Sequence, residues 1–135
     1  MIYQEQRITI VKINKPSQLN INQKLQWLGN SLGLFNLRDK NKSCFRIFIE
    51  FLKNAKNNTA VTSDEIAEKL DLSRGTVVHH INRLMEAGIL SHTKNKYYLR
   101  VNNLNYLIDE IEKDVTRTMN DLKNVAKEID ETLGL

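Results

Sequence analysis

The chain has 135 residues, 20 Lys+Arg against 16 Asp+Glu, one cysteine and 41% hydrophobic residues. That length suits one small domain with extensions, and the apolar share supports a modest core without a disulfide framework. A single cysteine excludes an internal disulfide and fits a reducing cytoplasm, no apolar run reaches the ~18 residues of a membrane span, and the first residues lack the apolar core of a secretion signal.

The charge is unevenly placed. Residues 1–101 hold 16 Lys+Arg and 8 Asp+Glu, a balance of +8, whereas residues 102–135 hold 4 and 8, a balance of −4. A basic body with an acidic end segment suits a protein that meets phosphate with one part and another protein with the other. Many small proteins share such asymmetry, so it gains meaning only beside a motif.

In chain order, the first predicted element is a strand over Arg7 to Ile13, RITIVKI, which is rich in β-branched residues. Pro16-Ser17 ends it, and Asn20 to Gly33 reads as an amphipathic helix carrying Leu25, Trp27, Leu28 and Leu32. One strand and one helix bury too little surface to fold alone, so they either dock on the body or exchange with a second subunit. Lys42 to Asn54 is a strongly apolar helix, expected to turn Phe45, Phe48, Ile49 and Leu52 inward. Cys44 within it reads as a small core residue.

Thr62 to Leu90, TSDEIAEKLDLSRGTVVHHINRLMEAGIL, is the most informative stretch. Thr62 and Glu65 form a capping box, and Val61 and Ile66 are placed for a hydrophobic staple. Ile66, Ala67 and Leu70 share one helical face, and Ala67 is small enough for a second helix to cross closely. Asp71-Leu72 makes the turn. Ser73 is the next N-cap, able to accept from the N–H of Gly75 or Thr76. Val77, Ile81, Leu84 and Met85 form the inward stripe of the second helix, and Gly88 suits a left-handed helix end. Ile89 to Thr93 and Lys96 to Val101 then read as short strands around a two-residue Lys94-Asn95 turn, where Asn tolerates positive φ.

The pattern LSRGTVVHHINRLMEAGIL resembles the helix-turn-helix of winged-helix regulators, most closely the ArsR-like group. The resemblance covers roughly residues 43–101 and implies a DNA-binding transcriptional regulator. It leaves Ser73, Arg74, Gly75, Thr76, Val78, His79, Asn82 and Arg83 on the outer face or rim of the second helix, whose N-terminal end would enter the major groove. Arg74 can bond guanine bidentately, Asn82 can read adenine and Val78 can touch a thymine methyl. Ser73 and Thr76 can bind phosphate with help from the helix N-terminus, and Gly75 permits close backbone approach. Lys94, Lys96 and also Arg100 are expected phosphate or minor-groove contacts. The competing reading of this face is a solvated surface with ordinary capping.

The last segment is one helix capped near Asn102 or Asn103. Leu104, Ile108, Ile111, Val115, Met119, Leu122, Val125, Ile129 and Leu133 recur every three or four residues, an apolar stripe about eight turns long. A homodimer with a helical interface buries it economically, and would place two recognition helices about one DNA turn apart. The alternative is a helix folded back over its own domain.

His79 and His80 do not make a metal site, because adjacent helical residues point about 100° apart. His80 matches a structural histidine of the resembled family, and the single Cys44 with His92 falls short of a ligand set. No phosphate-cradling Gly-rich loop and no H-E-x-x-H occurs, so neither an enzyme nor a cofactor is expected.

The expected fold class is therefore mainly α (α+β): a winged helix-turn-helix over residues 39–101, an N-terminal strand and helix extension over 1–38, and a long C-terminal dimerisation helix over 102–135. The expected function is sequence-specific double-stranded DNA binding by a cytoplasmic homodimer, with residues 73–86 in the major groove and wing 93–97 on the backbone or minor groove. No membrane contact is expected, a small-molecule effector is left open, and residues 1–38 either complete the dimer or bind an effector. The competitors are a winged-helix protein–protein adaptor, which should lack groove-reading residues such as Arg74, Asn82 and Arg83, and an RNA-binding winged helix. The latter should show aromatic platforms, for which Tyr97 and Tyr98 are the candidates near the wing.

Overall fold

Capping chemistry sets most of the helix boundaries. The computed structural model describes residues 5–35 and 42–135. Helix α1 (Ile21–Ser31) starts at a complete capping box: Asn20 Oδ1 accepts from the Gln23 N–H at 2.8 Å, and Gln23 Oε1 accepts from the Asn20 N–H at 2.9 Å. Helix α2 (Ser43–Lys56) follows, then the two-residue strand β1 (Val61–Thr62). Thr62 caps α3 (Ser63–Leu70) by accepting from the Glu65 N–H at 3.1 Å, and Asp71 ends it in the left-handed region at φ +54°. Ser73 caps α4 (Arg74–Glu86) through the Thr76 N–H at 3.2 Å, and Gly88 closes its exit at φ +79°. Strands β2 (Leu90–Thr93) and β3 (Lys96–Leu99) form a hairpin, and Asn103 caps the 30-residue helix α5 (Leu104–Leu133).

The sheet has the order β1-β3-β2, all antiparallel, with Val61 opposite Tyr97 and Leu90 opposite Leu99. Helices α2, α3 and α4 pack on it around Ile47, Phe48, Phe51, Ile66, Val77, Ile81, Leu84 and Ile89. Three helices, a two-strand wing and a third strand from the start of α3 make this a winged helix-turn-helix fold of the α+β class.

Several local expectations are corrected. Residues 7–13 are not a strand. The segment has the β-branched composition but no partner in a ladder; it is held by single bonds, Arg7 N to Glu86 O at 2.9 Å and Val11 N to Ser31 O at 2.7 Å. In α2 the buried apolar face is Cys44, Ile47, Phe48 and Phe51, with Phe45, Ile49 and Leu52 only half-buried. The apolar arc of the helix is wider than the strip it buries, so periodicity excludes the Arg46 and Lys53 side but does not select which edge of the arc faces the core. Phe45 instead meets Phe35 of the N-terminal extension edge-on, with ring centroids 5.2 Å apart. Gly29 makes room for that ring, since a Cβ there would lie 1.7 Å from Phe35 Cε2. In the wing turn Lys94, at φ +56°, takes the left-handed backbone expected of Asn95. The twist of a two-residue hairpin calls for positive φ at the first central position, and only the second of the two residues here is an asparagine.

The apolar stripe of α5 divides in two. Leu107 and Ile111 are buried, and Leu104, Ile108 and Val115 are half-buried against this chain's own core. The expectation that Ile111 faces a partner is corrected, since it lies in this chain's own core, whereas Leu104, Ile108 and Val115 keep part of their surface exposed. Met119, Leu122, Val125, Ile129 and Leu133 remain 45–66% exposed.

A buried ion cluster fastens this junction. Asp114, itself buried, accepts from Arg100 Nη1 at 2.7 Å, from Gln6 Nε2 at 3.0 Å and from Arg117. Arg100 Nη1 also reaches Gly88 O at 3.3 Å, so Arg100 joins the helix-turn-helix exit, the wing base and α5. Its expected phosphate contact is corrected, because the guanidinium is already occupied.

The Arg100 hydrogen bond holds the Asp114 carboxyl below its ordinary range despite the opposing effect of burial. A carboxyl whose folded pKa is depressed contributes stability that is present above its unfolded pKa, near 4, and lost as pH falls through the lowered folded value. Asp114→Asn should therefore lower stability at pH 7 and flatten its loss below pH ~4. The expected cost at pH 7 is about 2 kcal/mol, less than the ~3–5 kcal/mol of a fully buried pair, since Arg100 keeps 25% of its side chain exposed. Chemical denaturation of both proteins across pH 3–7 tests it; parallel profiles would deny Asp114 this role.

Candidate nucleic-acid interface

Helix α4 turns Val77, His80, Ile81 and Leu84 inward. The same 3.6-residue period leaves Arg74, Gly75, Val78, His79, Asn82 and Glu86 exposed, so the outer face follows directly from the inner one. His80 is buried beside His79, with ring centroids 5.3 Å apart.

The expected contact residues are not equivalent. Ser73 is occupied at its hydroxyl, accepting from the Thr76 N–H and donating to Thr76 Oγ1 at 2.8 Å, and Thr76 is half-buried. Their side chains therefore shape the helix start. Of the first-turn amides, those of Arg74 and Gly75 precede the intrahelical ladder and point outward along the positive helix end. These backbone donors were not singled out from the sequence, although a Ser N-cap marks where they must lie.

Arg74 carries an ion pair to Asp64 at 3.4 Å, with both side chains more than 70% exposed. An exposed pair of this kind is worth at most about 1 kcal/mol, so the guanidinium can be recruited by a stronger acceptor. Arg83 differs: it is half-buried and donates from Nη2 to Gly33 O at 3.2 Å. It ties α4 to the N-terminal extension, which corrects the expectation that Arg83 lies on the reading face. Glu86, the last residue of α4, is exposed at the far end of that face, and the rest of the helix carries no negative charge.

Gly75 sits in the first turn of α4, and a Cβ built on it meets nothing within 4 Å. The fold does not need glycine there. Glycine weakens a helix by up to about 1 kcal/mol relative to alanine, so the residue costs stability with no return inside the chain. Gly75→Ala should raise the melting temperature and weaken binding of any surface that approaches α4 closely. Thermal unfolding and DNA titration of one variant test both halves; a stabilised variant with unchanged affinity would remove close approach at residue 75.

On the wing, Lys94 and Lys96 are exposed, and His92 Nδ1 donates to Lys94 O at 3.1 Å across the tip. Tyr98 hydroxyl lies 3.3 Å from Thr93 Oγ1, and Tyr97 and Tyr98 are both half-buried. Each ring is thereby engaged with the hairpin itself. Among the described residues no group of three or more His, Cys, Asp or Glu is placed to hold a metal ion, and no helix is long and apolar enough to cross a membrane.

The site is an outward helix face beside a lysine-tipped hairpin, the arrangement of a winged helix-turn-helix DNA-binding module. A family model described as an HTH domain matches residues 47–99, from the middle of α2 to the last residue of β3. The match supports a helix-turn-helix DNA-binding protein. No curated protein and no solved structure matches the chain.

Proposed function

We propose that the protein is a sequence-specific regulator of transcription that binds double-stranded DNA as a homodimer. The observation that carries this reading is the outer face of α4. Arg74, Gly75, Val78, His79 and Asn82 are exposed together and take no part in the core. Arg74 and Asn82 supply the side-chain types that read guanine and adenine edges, and Val78 meets a thymine methyl. The free amides at the start of α4 hold phosphate, and Lys94 and Lys96 contact the flanking backbone or minor groove. The resemblance of residues 72–90 to the ArsR-like regulators supports the same assignment. The dimer is held through the part of α5 that its own domain leaves open, including Met119, Leu122, Val125 and Ile129.

The test is binding of the purified protein to genomic DNA fragments, its own upstream region among them, across a salt series. Selective binding whose affinity falls steeply with salt is expected, because displaced counterions follow the number of phosphates contacted. Weak, unselective binding that vanishes near physiological salt would instead leave a protein–protein adaptor.

A further inference from the structure

Helix α1 and the chain that leads into it enclose a cleft that DNA recognition does not use. A bend at Ser17 precedes the Asn20 capping box, and residues 15–19 form one wall of a cleft of about 450 Å³. Lys24, Trp27 and Leu28 form the other wall, because residues three and four apart lie on one side of a helix. The volume falls within the ~300–1,000 Å³ of small-molecule sites.

Two chemistries meet in this cleft. Pro16, Leu19, Trp27 and Leu28 supply apolar surface, and Lys15 and Lys24 bring exposed ammonium groups to its edge. No carboxylate among the described residues pairs with either ammonium. The sequence has no acidic residue from Gln6 to Arg38, and Glu5 is already paired with Arg7 at 2.7 Å. Trp27 Nε1 is shielded from water and meets no acceptor among the described residues, although a buried donor ordinarily has one.

We propose that this cleft binds a small organic anion, a carboxylate carried on an apolar aliphatic or aromatic frame. The charge selects the head group, since two cations with no acid between them attract an anion. The walls select the rest. An inorganic anion would leave Leu19, Trp27 and Leu28 facing water, whereas an apolar frame covers them. The unpaired indole N–H points the same way, being a need that an oxygen-bearing occupant can meet and a hydrocarbon cannot. The inference goes beyond the DNA reading and does not rest on it, because the lining shares no residue with the outer face of α4 or the wing.

Trp27 is the chain's sole tryptophan, so its fluorescence reports on this cleft alone. The experiment titrates the full chain with octanoate while Trp27 emission is followed, with octanol and acetate as controls for the frame and the charge. Octanoate should give a saturable change and bind about tenfold more tightly than either control, the combined effect of two exposed cations. Lys15→Gln/Lys24→Gln alters only exposed positions and should keep the wild-type melting behaviour while losing that advantage. Lys12→Gln, which lies on the same basic extension but outside the cleft, should bind octanoate as the wild type does. Octanol binding as tightly as octanoate, or equal losses in the Lys12 and the paired variants, would overturn the proposal. So would displacement of octanoate by a single-stranded oligonucleotide, which would assign the cleft to nucleic acid. Emission that shifts on dilution alone and ignores octanoate would give the cleft to a second copy, again overturning it. DNA selectivity is measured without octanoate, so none of these failures touches the α4 reading.

Discussion

Replacing Arg74 and Asn82 together by alanine should abolish most of the protein's preference among DNA sequences while leaving the fold intact. Each bidentate base contact discriminates by about 1–3 kcal/mol, so the pair should account for a loss of selectivity of about thirtyfold or more. Stability should change little, because Asn82 is exposed and the Arg74–Asp64 pair is a surface pair. Competition binding of operator against scrambled DNA measures the effect, with thermal unfolding as the control. Arg83→Ala provides the contrast. It should lower stability by about 1 kcal/mol through the lost bond to Gly33 O and leave the order of preferred sequences unchanged. Retained selectivity in the double variant would take the α4 face out of the mechanism.

The second large effect concerns two positions on the same stripe of α5. Ile111→Glu and Leu122→Glu make the same chemical change eleven residues apart. Ile111 is 4% exposed inside the core, and an unpaired carboxylate there must be desolvated or protonated. That costs several kcal/mol, comparable to the whole stability of a small domain, so Ile111→Glu should be largely unfolded. Leu122 is 57% exposed, so Leu122→Glu should fold normally and sediment as a monomer with weakened DNA binding. Circular dichroism and sedimentation of the two variants separate core from interface. A folded Ile111→Glu would mean α5 does not dock as described, and a dimeric Leu122→Glu would place the interface elsewhere.

What the sequence made legible followed from chemistry between near neighbours. The Thr62 and Ser73 caps, and the cap expected at Asn102 or Asn103, each act within one turn, and the helix starts they imply agree with the structure. Asn20 and Asn103 mark true starts, and the hairpin pairing Thr93 with Lys96 follows from a two-residue turn. What remained hidden depends on distant partners. Strand β1 has two residues, too few for any period, and exists because Tyr97 and Lys96 lie opposite it. RITIVKI looks like a strand but lacks a neighbour to pair with. Arg100 resembles a wing contact until Asp114, fourteen residues on, is seen to hold it. Arg83 lies at a rim position on a helical wheel, and only the carbonyl of Gly33, fifty residues earlier, shows which way it is committed. The stripe read for a partner runs through Ile108, whereas the chain's own core takes Leu107 one residue before it.

The third strand has a mechanical consequence. β1 runs directly into α3, pairs with β3, and so rivets the wing to the helix-turn-helix, while the Arg100 N–H to Ile89 O bond of 2.9 Å closes the other side of the hairpin base. The helix that would enter a groove and the hairpin tip that would rest beside it are one stiff caliper. A caliper cannot adjust its jaws to the duplex, so any misfit must be absorbed by bending or narrowing of the DNA. The energy of that deformation depends on base steps the protein never touches. Flanking sequence should thus modulate affinity through its flexibility, and nicked or mismatched duplexes, which bend more readily, should bind more tightly than intact ones of the same contacted bases.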